Sequence, residues 1–193
     1  MTDKKITIWT TKGGCGKTNI SAELALQLSY PAITNEQESM LANVISKDKL
    51  LILKHNQEIP DMDCGVIFDF GGYIDKRLEK VLLLSDIILV PTLPEISDIQ
   101  GCINSLQTIQ NYNKKIAVIV NKTESVKDFE SVESIINEIG EYPLFEIKKS
   151  RALPNIYIRK QSIKDMCNKS PLDRYSYRKV LEQFNCLIKY IIT

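Results

Sequence analysis

Trp9-Thr10-Thr11-Lys12-Gly13-Gly14-Cys15-Gly16-Lys17-Thr18-Asn19 is the stretch on which the reading of this chain turns. It follows an apolar alternation, Ile6-Thr7-Ile8-Trp9, and leads into Ile20-Ser21-Ala22-Glu23-Leu24-Ala25-Leu26, a helical pattern. Strand, glycine-rich loop and helix form the setting in which Gly-Lys-Thr binds phosphate. Glycines accept positive φ, so successive backbone N–H groups converge on one concavity. The helix N-terminus behind the loop adds partial positive charge where an anion would sit. Lys17 is placed to reach the β- and γ-phosphates of a nucleotide, and the Thr18 hydroxyl to ligate Mg²⁺. Residues 12–19 are therefore the expected cofactor-binding set: Lys12, Gly13, Gly14, Cys15, Gly16, Lys17, Thr18 and Asn19.

The common pattern Gly-x-x-x-x-Gly-Lys-Ser/Thr is not met, because its first glycine would fall on Thr11. The loop instead carries a second lysine near its start, in Lys12-Gly13-Gly14-Cys15-Gly16-Lys17-Thr18. This resembles the deviant Walker A motif of the ParA/MinD family of partitioning and positioning ATPases. The resemblance implies that Lys12 crosses a nucleotide-sandwiched dimer interface and touches the partner's phosphates. The physical logic is that of a cation supplied in trans where charge develops.

At 193 residues the chain fits one domain. With 44% hydrophobic and 25% charged residues it has ordinary globular composition. No apolar run approaches the roughly 20 residues needed to cross a bilayer, so no stable membrane insertion is expected. Met1-Thr2-Asp3-Lys4-Lys5 runs straight into a strand without the features of a signal peptide. Cys15, Cys64, Cys102, Cys167 and Cys186 are odd in number and never paired as Cys-x-x-Cys. Free thiols in a reducing cytoplasm follow, rather than a disulfide framework or a zinc site. His55 is the only histidine, which removes His-based metal sites and triads, and it reads as a surface residue.

Charge is near balance overall but unevenly placed. Residues 147–193 hold eleven lysines and arginines against three carboxylates, a net of +8, whereas residues 1–146 hold 14 basic and 21 acidic residues, a net of −7. Such asymmetry points to an anionic partner for the C-terminal quarter, with a merely solvated face as the competing explanation.

Taken in order, Ala32-Ile33-Thr34 reads as a short strand, residues 38–46 as weakly helical, and Leu50-Leu51-Ile52-Leu53 as a buried strand. In the ParA/MinD resemblance the first of these ends in an Asp-x-Asp segment whose carboxylate orients the attacking water. Here Thr34-Asn35-Glu36 stands in its place, leaving Glu36 as the catalytic candidate and hydrolysis correspondingly slow. Gly65-Val66-Ile67-Phe68-Asp69 is an apolar strand ending in a carboxylate, as a Mg²⁺-holding Walker B aspartate does. Phe70-Gly71-Gly72 resembles the family's switch II segment beside the γ-phosphate. A helix near 74–84 precedes strand Ile87–Val90, in a segment Ser85–Pro91 that resembles the family's Ala-Asp-apolar-Pro strand. A helix near 97–111, strand Ile116–Val120, helix Phe129–Ile139 and strand Leu144–Ile147 complete the alternation. Asn121, at the end of the 116–120 strand, corresponds to an asparagine that contacts the base in the family. Asn121-Lys122-Thr123-Glu124 is also similar to the guanine-reading Asn-Lys-x-Asp, but Glu124 and the deviant loop favour adenine.

Strands alternating with helices predict an α/β fold: a single P-loop NTPase domain over residues 1–193, its mostly parallel twisted sheet covered by helices on both faces. Its ligand edge is the C-terminal edge of the strands, where the loop, Asp69 and Asn121 converge. Ser170-Pro171-Leu172-Asp173 starts a final helix with an N-cap, Pro at N1 and acid at N3. Its stripe of Val180, Leu181, Phe184, Leu187, Ile188, Ile191 and Ile192 suits core packing or a membrane surface. Glu182, Gln183, Asn185 and Lys189 do not make the basic polar face that a membrane helix presents, which favours core packing.

The resemblance implies a ParA-like ATPase using ATP and Mg²⁺, with Lys12, Lys17, Glu36 and Asp69 as catalytic residues and Thr18 and Asp69 as metal ligands. It further implies an ATP-dependent homodimer that binds non-specific DNA and positions or segregates a plasmid, a chromosome or another cargo. A partition or cargo-adaptor protein would stimulate hydrolysis, and the protein would be cytoplasmic and nucleoid-associated. With no helix-turn-helix domain ahead of the loop, sequence-specific operator binding is not expected. Arg151, Arg174, Arg178 and Lys179 are the DNA-binding candidates, since arginine suits phosphate. The alternatives are a nucleotide-gated adaptor with little hydrolysis and a MinD-like membrane-associated positioning ATPase.

Overall fold

Val66–Asp69 is buried along its whole length, as a strand must be when both faces of its sheet are covered. The computed structural model of the chain describes residues 3–72, 75–112 and 114–193. In it, β1 (Lys5–Ile8), β2 (Ala32–Thr34), β3 (Leu50–Ile52), β4 (Val66–Asp69), β5 (Ile87–Thr92), β6 (Lys115–Thr123) and β7 (Leu144–Lys148) form one sheet. All its pairings are parallel, and the spatial order is β3-β2-β4-β1-β5-β6-β7. The helices are α1 (Lys17–Leu28), α2 (Leu78–Leu84), α3 (Ile96–Ile109), α4 (Val126–Asn137), α5 (Ala152–Arg159), α6 (Ile163–Lys169) and α7 (Pro171–Ile192).

Strand residues of alternate parity feed two separate cores. Ile6, Ile8, Ile67, Leu89, Ile119 and Ile147 meet Ile20 and Leu24 of α1 and the apolar residues of α5, α6 and α7 on one face. Ile33, Phe68, Ile88, Val90, Val118 and Val120 meet α2, α3 and α4 on the other. In α7, Val180, Phe184, Leu187 and Ile191 are buried, and Leu181, Ile188 and Ile192 pack partly buried beside them. The apolar stripe of this helix is thus core. Its start is as the sequence dictates, with the Ser170 hydroxyl accepting the Asp173 N–H and Pro171 at the first turn.

Local differences have local causes. Leu50–Ile52 are half-buried rather than buried, because β3 is an edge strand with one neighbour; only Leu53 beyond it is fully enclosed. α4 begins at Val126, three residues before Phe129, since Ser125 and Asp128 close a reciprocal capping box. The weak helical pattern of 38–46 resolves into a 3₁₀ turn, Met40–Asn43. The helix expected near 74–84 begins at Leu78, and Ile74 lies outside the described residues.

Candidate functional site

β1 and α1 are joined by the loop 9–16, and the backbone there takes the form its glycines permit. Gly14 and Gly16 have φ of 85° and 90°. At Gly16 a β-carbon would collide with the Asn121 amide nitrogen, and any other residue would be strained at this φ. No side chain caps the N-terminus of α1, and no acidic residue sits in its first turn. Its free N–H groups and dipole therefore favour an anion in the loop. Lys17 is buried, with Nζ donating to the Lys12 carbonyl at 3.0 Å. Lys12 itself is half-buried, at the rim of the same loop.

The rest of the fold grips this loop from several sides. Ser105 of α3 accepts the Thr11 N–H at 2.9 Å, and the Thr11 hydroxyl donates to the Gly101 carbonyl at 3.0 Å. Asn121, wholly buried in β6, donates to the Cys15 carbonyl at 2.9 Å and accepts the Lys122 N–H at 2.9 Å. The Cys15 thiol donates to Asp98 at 3.1 Å; burial and that carboxylate push it up to about 12, so it is a neutral, unreactive thiol. Tyr157 of α5 lies with its hydroxyl 3.2 Å from the Thr18 carbonyl and 3.0 Å from Asn19 Oδ1.

Asp69 ends β4 directly beside this loop. Its Oδ1 accepts from the Ser21 hydroxyl at 2.9 Å, while its buried Oδ2 has no hydrogen-bond partner. Burial pushes this carboxyl up to about 6, against the Ser21 hydrogen bond and the nearby Thr18 hydroxyl, which favour its charge. An orphaned carboxylate oxygen next to a threonine hydroxyl is a donor set that suits a hard divalent cation. Glu36, half-buried after β2, lies near enough for its charge to add to the rise at Asp69. The fold thus brings Lys12, Lys17, Thr18, Glu36, Asp69 and Asn121 to one edge of the sheet. Asn121 there holds the loop backbone. Beside it opens a cleft of about 560 Å³ whose lining includes Leu93, Pro94, Lys122, Glu124 and Lys149. Glu124, the residue compared with a guanine-reading carboxylate, is paired with Lys149 at 2.6 Å.

Four groups at this edge escaped the sequence reading. Ser21 is signalled only by its place one helical turn after Lys17. Asn35 is buried and bridges Gly71 N–H and the Asp75 carboxylate. Asp98 and Tyr157 come from distant elements, and nothing local marks them.

The basic quarter forms α5, α6 and α7. Arg151, Arg174, Arg178 and Lys179 are all exposed. Arg174 Nε donates to the Cys167 carbonyl at 3.2 Å, and Arg178 lies 3.7 Å from Glu182. Arg159 is paired with Asp173. This region is fastened to the phosphate loop's helix: both oxygens of buried Glu23 in α1 accept the Ile163 N–H that opens α6, at 3.1 and 3.0 Å. Burial raises that carboxyl to about 7.

No protein-family model matches the chain, and no curated protein sequence matches it. Solved structures do. A putative plasmid partition protein from Borrelia burgdorferi B31 bound to AMPPNP superposes with a TM-score of 0.70 at 15% identity, covering 98% of this chain and 100% of that one. The septum site-determining protein MinD from Pyrococcus horikoshii, complexed with Mg-ADP, gives 0.64 at 16% identity over 84% and 88% of the two chains. A ParA family ATPase from Chlorobium tepidum gives 0.61 at 18% identity over 93% and 98%. The fold of this chain is that of the ParA/MinD-type P-loop proteins. At these identities the likeness is one of architecture.

Proposed function

We propose that the chain is a ParA-like ATPase that binds Mg-ATP in the 12–19 loop, dimerises on it and positions a cargo on DNA. The observation that carries the reading is the unpartnered, buried Asp69 oxygen beside Thr18, next to a cradle built from positive-φ glycines and Lys17. Mg²⁺ held by Thr18 and Asp69 would neutralise charge on the phosphates. The loop N–H groups and Lys17 bind those phosphates, and Asn121 keeps the Cys15 carbonyl turned away from them. Lys12, at the rim, supplies the cation across a sandwich dimer. Glu36 is the carboxylate that orients water, and with Thr34 in the place of the other carboxylate it acts alone. Hydrolysis is accordingly slow, below the roughly 1–10³ s⁻¹ of typical enzymes, until a partition or cargo-adaptor protein stimulates it. The bound base is adenine; Glu124 is engaged by Lys149.

Arg151, Arg174, Arg178 and Lys179 face solvent and supply the contacts to non-specific DNA. On this reading the protein is cytoplasmic and nucleoid-associated. The cargo is a plasmid, a chromosome or a protein assembly. A nucleotide-gated adaptor with little turnover is the second reading, favoured by the carboxylate missing from Thr34-Asn35-Glu36. The stripe of α7 lies in the core, which removes the motive for a MinD-like membrane helix. Among the described residues no helix is long and apolar enough to cross a membrane.

Titration with a fluorescent ATP analogue tests the reading. Wild-type protein should bind it in a Mg²⁺-dependent way, and Lys17→Ala should abolish binding. Unchanged affinity in the variant removes the assignment of the loop.

A further inference from the structure

Asn35 is an amide at a place where its two neighbours make opposite demands. Its Oδ1 accepts the buried Gly71 N–H at 2.9 Å, and its Nδ2 donates to Asp75 Oδ2 at 2.8 Å. A carboxylate satisfies the first demand and violates the second; an amide serves both. Asp75 is fixed in turn. Arg77 donates to it from Nε at 2.9 Å, from Nη2 at 2.8 Å and from its own backbone N–H at 2.9 Å. This holds the Asp75 carboxyl well below the usual carboxylate range. The remaining guanidinium nitrogen of Arg77 donates to the carbonyls of Lys54 and Gln57 at 2.8 and 3.0 Å, anchoring the array to the loop after β3.

The far end of this array is the segment just after Asp69. At Gly72 a β-carbon would meet the Thr11 carbonyl at 2.5 Å and the Thr10 carbonyl at 2.9 Å, so the segment abuts the start of the phosphate loop. Asn35 thus sets where Gly71–Gly72 lies against residues 10–11, and Arg77–Asp75 sets where Asn35 lies.

We infer that Asn35 is a positioning residue for nucleotide discrimination: braced by Asp75 and Arg77, it holds the Gly71 backbone where the third phosphate of ATP is distinguished from the two of ADP. This rests on the nucleotide-binding reading of the loop, in which Asp69 helps hold the metal that bridges the second and third phosphates, so the segment directly after Asp69 lies beside the third. The contacts to the first two phosphates come from residues 13–18 and do not depend on Asn35. Loosening the 70–72 segment therefore costs affinity for ATP and leaves ADP binding in place.

The test is the ratio of affinities for fluorescent ATP and ADP analogues in wild type, Asn35→Asp and Asn35→Ala. Asn35→Asp sets two carboxylates against each other and should lower ATP affinity about tenfold, with ADP affinity changed less than about twofold. Asn35→Ala, which leaves Gly71 N–H without its acceptor, should shift the ratio the same way. Both single variants leave the Arg77–Asp75 pair in place. Melting curves establish that each variant is folded. Equal losses for ATP and ADP, or an unchanged ratio in both variants, overturns the inference. Absence of binding by wild type overturns the nucleotide reading itself, and this inference with it.

Discussion

The substitution Glu23→Gln should stabilise the protein above neutral pH and do little below pH 4.5. Glu23 is fully buried in α1, its oxygens taken by the Ile163 N–H and by Gln27 Nε2 at 2.5 Å, with Asp165 adding like charge nearby. Burial raises its pKa from 4.5 to about 7, so the folded protein holds the proton more tightly than the unfolded chain. The sign follows. This group's contribution is complete below pH 4.5, declines as pH rises toward 7, and is lost above it. At about 1.4 kcal/mol for each factor of ten in proton affinity, the ionised side chain costs roughly 3 kcal/mol at pH 8. The substituted amide keeps an oxygen for Ile163 N–H and never ionises. The variant should therefore melt about 6–12 °C above wild type at pH 8 and at nearly the same temperature at pH 4.5. Thermal melts followed by circular dichroism across this range give the difference directly. Asp69, raised to about 6, titrates in the same window but cancels between the two proteins. A difference that stays flat with pH refutes the argument, and a variant less stable at pH 8 refutes even its sign.

Asn121→Ala should cost roughly 2–4 kcal/mol in urea unfolding, because the Cys15 carbonyl and Lys122 N–H both lose their buried partner. Full retention of stability with loss of base affinity would mean that Asn121 serves the ligand and not the loop. Lys12→Ala should keep nucleotide binding and lose the ATP-dependent dimer; light scattering that still finds a dimer would place the lysine's action within its own subunit. Reversing the charge at Arg174 and Arg178 together should abolish DNA retardation while ATP binding persists. For the unmodified dimer, log affinity should fall with log salt at a slope near −0.9 times about 6 phosphates. A salt-insensitive complex would make the basic quarter a solvated face.

Much of this architecture was legible because each of its signals is local. The loop 12–18 announces itself by glycines and a lysine between an apolar strand and a helix, and Asp69 by standing at the end of a fully apolar run. The cap at Ser170 and the stripe of α7 likewise depend on neighbours within a few residues. What stayed hidden is pairwise and distant. Asn35 is only the middle residue of Thr34-Asn35-Glu36 until Asp75, forty residues on, is seen to need a donor. Nothing in the helical pattern around Glu23 shows that Ile163, 140 residues on, shares its oxygens. Asn121 sits where a base contact is expected, but the 2.9 Å bond to Cys15 cannot be read without the parallel sheet that brings β6 alongside the loop. Periodicity overstated the burial of Leu50–Ile52 for a related reason: an apolar run does not say which strand will be last in the row.

The division of the helices between the two faces has a bearing on how the chain is made. α2, α3 and α4 lie between strands in sequence, so the face they cover closes as each strand is added. The opposite face over β5, β6 and β7 has no such companion. Leu89, Ile119 and Ile147 stay bare until α5, α6 and α7 follow. Phe145 then meets the Tyr190 ring at 5.0 Å, and Lys115 reaches the Tyr190 carbonyl at 2.8 Å, both near the far end of α7. A chain emerging from the ribosome therefore carries a finished but unroofed sheet for the time needed to add more than forty residues, a few seconds at about 5–20 residues per second. During that interval it is a surface for chaperones to hold and for neighbouring nascent chains to stick to.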